Sequence, residues 1–131
     1  ATIANISGAT HMLLATVRDD DSDSAVVSTN EILLLPPTGL ALPSAAVTAT
    51  VATGVNPDGS TNITVLANAT ALYVTLTTLA QGRFSDNFFA MRKGAARTVT
   101  FLPFAVDDAT RSSSATLAES LRVEHLQMYV P

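Results

Sequence analysis

The sequence predicts an all-β chain folded as a two-sheet antiparallel sandwich of seven to eight strands. Short runs rich in Val, Thr, Leu and Ile recur along the chain, and most of them alternate apolar with polar residues. Clusters of Asp, Ser, Pro, Asn and Gly separate the runs at regular intervals. No ten-residue stretch carries the 3.6-residue period of an amphipathic helix.

The elements follow in order. Residues 1–9 read as a linker, and strands are expected at 10–17 (THMLLATV) and 25–35 (AVVSTNEILLL), with the acidic run DDDSDS at 19–24 between them. After PPTG at 36–39, strands are expected at 46–53 (AVTATVAT), 61–67 (TNITVLA) and 70–79 (TALYVTLTTL). In the first of these Val47, Ala49 and Val51 share one face, while Thr48 and Thr50 take the other. NPDG at 56–59 joins 46–53 to 61–67 as a hairpin: Pro57 presets φ, Asp58 tolerates tight geometry, and Gly59 accepts positive φ. RKGA at 92–95 turns the chain into a strand at 97–102 (RTVTFL). Residues 105–120 read as a loop in which 115–121 can form one helical turn, and 121–130 (LRVEHLQMYV) supplies the last strand. One domain over 1–131 is expected, since a chain of this length hides roughly two thirds of its unfolded surface without staples.

Composition narrows the function. A formal charge of −4, with seven Lys plus Arg, argues against nucleic acid or an anionic membrane as partner, because both demand clustered positive charge. No apolar run reaches the ~18 residues of a membrane span, the first residues lack a signal-peptide pattern, and a soluble chain is expected. Zero cysteines remove disulfides, thiolate metal sites and Cys nucleophiles together. Three Asn-x-Ser/Thr triplets make Asn5, Asn62 and Asn68 candidate glycosylation sites, which leans towards a eukaryotic secreted protein.

The search for catalytic chemistry yields little. Asp19, Asp21 and Asp23 match positions one, three and five of a calcium loop, but Ser24 stands where its Gly belongs and Asn30 where its Glu belongs, so a solvated loop is expected. His11 and His125 are the two imidazoles; each falls in an expected strand without paired ligand spacing and reads as a surface or rim residue. Nucleophile-elbow, phosphate-loop and HExxH patterns do not occur. A carboxylate pair of the glycosidase kind needs only proximity in space, yet most acids here sit in turns. The residues taken alone read as a non-catalytic sandwich with no cofactor or metal.

The stretch GRFSDNFFAMRKGAARTVTF at 82–101 adds to that reading. Phe84, Ser85, Asp86, Asn87, Phe88, Phe89, Gly94, Thr98, Val99 and Phe101 resemble the Phe-Ser-Asp-Asn-Phe/Tyr-Phe strand, Gly turn and Thr-Val-x-Phe strand of one family. It is the C-terminal immunoglobulin-like β-sandwich domain of β-mannosidases of glycoside hydrolase family 2, here of the fungal, secreted type. NEILLLPPTGLALP at 30–43 and ALYVTLT at 71–77 extend the likeness over about residues 10–104. Met91, Lys93 and Ala95 stand where the family has Leu, Pro and Glu. By alternation Phe84 and Phe88 are expected on one face and Phe89 on the other, while Asp86 and Asn87 are expected to bond backbone N–H groups two residues on. The cluster reads as packing or domain docking rather than sugar contact.

The resemblance implies a retaining exo-enzyme that releases mannose from non-reducing ends, with two catalytic Glu on a (β/α)8 barrel. A barrel takes about 250 residues, so it would lie outside this chain, which carries no catalytic residues and acts as the C-terminal accessory piece. The partners implied are that barrel-bearing remainder and, through it, a mannoside; the location implied is extracellular, lysosomal or elsewhere in the secretory pathway. Two alternatives stay open: a carbohydrate-binding module, and a non-enzymatic adhesion sandwich that acts through a sheet edge.

Overall fold

A computed structural model describes residues 6–20, 25–104 and 113–130. The chain divides into two compact units, 1–42 and 43–131, where one domain was expected from its length.

The first unit is built on a hairpin, β1 (Met12–Arg18) and β2 (Val26–Leu33), paired antiparallel from Met12↔Leu33 to Arg18↔Val26. Among the described residues these two strands form a two-stranded sheet. A single turn precedes them, the Thr10 and His11 N–H groups both donating to the Ser7 carbonyl. A 3-10 turn at Pro37–Gly39 follows.

The second unit is the sandwich. Among the described residues its strands are β3 (Val47–Val51), β4 (Thr61–Ala67), β5 (Ala71–Thr77), β6 (Gly82–Phe84), β7 (Phe89–Met91), β8 (Ala96–Pro103) and β9 (Arg122–Glu124). They form a four-stranded sheet in the order β3-β4-β8-β6 and a three-stranded sheet in the order β7-β5-β9, antiparallel throughout. Ile63, Val65, Val99 and Phe101 from the first sheet and Val74, Leu76, Phe89 and Met91 from the second close one core. At about 25 cal/mol per Å² of apolar surface removed from water, this core supplies the main drive to fold.

The NPDG turn forms as its residues dictate. The Gly59 N–H donates to the Asn56 carbonyl at 2.9 Å with Gly59 at φ 83°, and the hairpin runs from Val47↔Ala67 to Val51↔Ile63. Asp58 accepts from the Ser60 hydroxyl (2.6 Å) and the Ser60 N–H (3.0 Å), and these two bonds hold its pKa below the ordinary carboxylate value. Gly94, at φ 73°, turns the chain into β8, with the Ala95 N–H donating to the Arg92 carbonyl.

The expected loop at 105–120 ends in a helix, α1 (Ser114–Ser120). Ser113 caps it, its hydroxyl accepting from the Thr116 N–H at 3.1 Å, and Leu117 is buried in the core. The expected last strand at 121–130 is only β9 long; a 3-10 turn at Leu126–Met128 replaces the rest.

The outer faces of the two sheets differ. On the four-stranded sheet Thr50, Thr64 and Thr98 stand in register across three strands, with Thr48 and Thr100 beside them. On the three-stranded sheet the corresponding outer positions hold Tyr73, Thr75, Arg122 and Glu124.

Candidate functional site

The segment Gly82–Met91 is where the chain leaves one sheet and enters the other, β6 lying at the edge of the first and β7 at the edge of the second. Gly82 allows the approach: a Cβ there would run into the Phe101 ring and lie 2.6 Å from the Leu102 carbonyl oxygen. Phe84 then packs edge-on against Phe101, ring centroids 5.6 Å apart.

The polar residues of the corner are each held by hydrogen bonds. The Ser85 N–H donates to the Thr100 carbonyl (2.7 Å) and the Thr100 N–H to the Ser85 hydroxyl (2.9 Å), which extends the β6–β8 ladder by one side chain. Asp86 accepts from the Asn87 N–H and pairs with Arg97 of β8, whose guanidinium lies 4.4 Å from the Phe89 ring centroid. The Asn87 amide reaches across to β5: its Oδ1 accepts from the Leu76 N–H at 2.8 Å and its Nδ2 donates to the Leu76 carbonyl at 2.9 Å. The side chain thus takes the place of a peptide group where the ladder would otherwise end. Asp86 and Asn87 bond the N–H of the next residue, not the one two on, because both side chains are also drawn to the flanking strands.

The expected sharing of a face by Phe84 and Phe88 does not hold. The corner breaks the extended run, so Phe84 and Phe89 both turn inward and Phe88 stands out, 64% exposed. Phe88 adopts φ 60° and Tyr73, on the bulge of β5, φ 54°, and these are the two non-glycine residues with positive φ among the described residues. Such a conformation costs an aromatic residue of order 1–3 kcal/mol. The two strained residues stack on each other, ring planes 4° from parallel and centroids 4.7 Å apart. Beside them, Glu124 is paired with Thr75, and the Tyr129 hydroxyl donates to the Glu124 carboxylate, which raises the phenol's pKa above its ordinary value.

The other sequence candidates are not brought together. Asn5, Asp21 and Asp23 lie outside the described residues. Asn68 is exposed in the turn after β4, its Oδ1 accepting from the Ala46 N–H at 2.7 Å. Asn62 is half-buried within β4, its Oδ1 accepting from Asn56 and Thr100 side chains. His11 is exposed just before β1, whereas His125 is buried, not on a rim, with Nδ1 3.3 Å from the Gln127 side-chain oxygen. A shallow cleft of about 420 Å³ lies between the end of β5 and α1, with Leu79, Glu119, Ser120 and Arg122 on its walls. The Leu79 N–H donates to the Ser120 hydroxyl at 3.0 Å. Arg97 and Glu124 were not singled out from the sequence. The alternation of RTVTF puts Arg97 on the same side as Val99 and Phe101, but no local pattern names Phe89 as the ring it reaches.

The model of the Ig-fold domain family Ig_mannosidase matches residues 42–128, well over half of the chain. The chain belongs to Ig_mannosidase. No curated protein matches it at significance. The Ig_mannosidase match begins at the boundary between the two units and runs past α1 and β9, so it covers the sandwich and leaves out the β1–β2 hairpin. The match shares residues 42–104 with the expected likeness over about 10–104 and runs on to 128. Within the Ig_mannosidase fold the corner at 84–89 is a staple between sheets, and Phe88 is the one ring of it that faces solvent.

Proposed function

We propose that this chain is the C-terminal accessory sandwich of a retaining exo-β-mannosidase, whose catalytic carboxylates lie on a barrel outside it and whose barrel-bearing remainder is its partner. The observation that carries this reading is the hairpin. Leu13 and Leu14 are neighbours on a strand and therefore point to opposite faces, yet both are exposed, as are Val17, Val26, Val27 and Ile32. A two-stranded hairpin is marginal by itself in water, and one with apolar residues on both faces is complete only when further protein covers them. Family membership supports the identity of that further protein as mannosidase.

The reading puts the enzyme in the secretory pathway or outside the cell, with Asn68 the more exposed of the two described acceptors for glycan, Asn62 and Asn68. Co-expression with a barrel-bearing β-mannosidase chain tests it. The two are expected to co-purify, seen by intact mass, while the 131-residue chain alone hydrolyses no aryl β-mannoside. Hydrolysis by the isolated chain, or failure to associate, sinks the proposal.

A further inference from the structure

We propose that Phe88 and Tyr73 form a stacking platform for a β-linked hexopyranoside, with Thr75 and Glu124 beside it to bond the sugar's hydroxyls; the choice of mannose as the sugar rests on the function proposed above.

Three observations carry this. Both aromatic residues are held at positive φ, a conformation an aromatic side chain does not adopt unless the surrounding fold imposes it, and such positions cluster at ligand clamps. Their rings are parallel, so Tyr73 fixes the plane of Phe88 from one side while the Phe88 ring stays 64% exposed. The surroundings are polar. Thr75 stands two residues along β5 from Tyr73, its hydroxyl donating to the Tyr73 carbonyl at 3.0 Å, and Thr75 is paired with Glu124 of β9. Tyr73, Thr75 and Glu124 share the outer face of the three-stranded sheet. An aromatic anchor for a protein partner is ringed by contacts that exclude water; the Tyr73–Phe88 stack instead shares its sheet face with a hydroxyl, Thr75, and a carboxylate, Glu124.

Sugar stereochemistry fits this arrangement. In the chair of a β-hexopyranoside the hydrogens on C1, C3 and C5 all stand axial on one face, which makes that face apolar enough to lie on a ring. In the α anomer the glycosidic oxygen takes the C1 axial position on that face. A carboxylate has about four lone-pair sites, so Glu124 can hold Tyr129 and still accept from two vicinal hydroxyls. The platform should therefore prefer β- to α-linked mannose.

Titration of the 131-residue chain with β-1,4-mannohexaose, followed by the aromatic resonances, tests this. The Phe88 and Tyr73 signals are expected to shift saturably, and Phe88→Ala to weaken binding by about tenfold or more. Phe88→Tyr is expected to keep binding, and α-linked manno-oligosaccharides to bind about tenfold more weakly. Should Phe88→Ala fail to fold, Glu124→Gln, at a partly exposed strand position, is expected to weaken binding in its place. Unmoved rings, or equal affinity for the two anomers, overturn the proposal. So does a response of these rings only to the barrel-bearing chain, an outcome that leaves the accessory reading intact. Sugar binding without association would do the reverse: it supports the platform and sinks the accessory reading.

Discussion

The chain contains two antiparallel hairpins of similar size and similar Val, Leu and Thr content, β1–β2 and β3–β4, and only the second builds a core. In β3–β4 the alternation holds except at Leu66, which is apolar and exposed, and Thr61, which is polar and buried. Val47, Ala49 and Val51 face the core with Ile63, Val65 and Ala67, and Thr48, Thr50 and Thr64 face out. In β1–β2 apolar residues sit side by side, Leu13 with Leu14 and Val26 with Val27, so neither face is polar. Apolar content makes both segments strands; the pattern decides whether a hairpin is sufficient with one covered face or needs two.

The comparison is broken most strongly by removing its core. Phe101→Ala deletes a ring that is 1% exposed and touches Phe84, and a loss of about 3–5 kcal/mol is expected from large-to-small substitution. Urea unfolding followed by circular dichroism checks it, and a loss under 1 kcal/mol would show that the core between the sheets does not carry the fold. Asn87→Ala comes next. It strands the Leu76 N–H and carbonyl in a half-buried setting, at about 1–3 kcal/mol for each group left unpaired. If Asn87→Ala unfolds at the wild-type urea midpoint, the corner is not a staple.

The turn of the stable hairpin gives smaller effects. Gly59→Ala forces a Cβ into φ 83° where no atom stands in its way, so only backbone strain is added and about 1 kcal/mol is expected. Asp58 supplies a pH dependence. Its folded pKa is depressed by bonds from Ser60, so its contribution is present above the unfolded Asp value and is lost as pH falls through the folded value. The urea midpoint is therefore expected to fall below about pH 4, and Asp58→Asn to flatten part of that fall. An unchanged acid limb in Asp58→Asn would remove the carboxylate from the account.

What the sequence disclosed depended on range. The β3–β4 hairpin was legible because its evidence is local: Asn56 to Gly59 state the turn and Val47 to Val51 state the face. Helix α1 was foreseen only as one helical turn at 115–121, because one buried residue, Leu117, is too little to show a period, and Ser113 read as loop rather than as its cap. Phe88 was placed on the wrong face because alternation continues through a corner on paper. The corner exists through Asn87 bonding Leu76, a residue eleven positions away, and no local pattern carries that. The partnership of Tyr73 with Phe88 was out of reach for the same reason, since it depends on a bulge in β5 that leaves no mark in ALYVTLT.

The smallest expected effect sharpens the comparison most. Leu14→Ser removes an apolar side chain from β1 at a position 42% exposed, and surface substitutions of this kind usually shift stability by no more than about 0.5 kcal/mol. Its counterpart in the other hairpin, Val65→Ser, puts an unpartnered hydroxyl into a fully buried site and is expected to cost several times more. If the hairpin's apolar faces are a contact for the barrel-bearing chain, Leu14→Ser should leave the urea midpoint of the isolated chain in place and still weaken association. A stability loss at Leu14 equal to that at Val65 would mean that β1–β2 is already covered within this chain, and the contrast between the two hairpins would disappear.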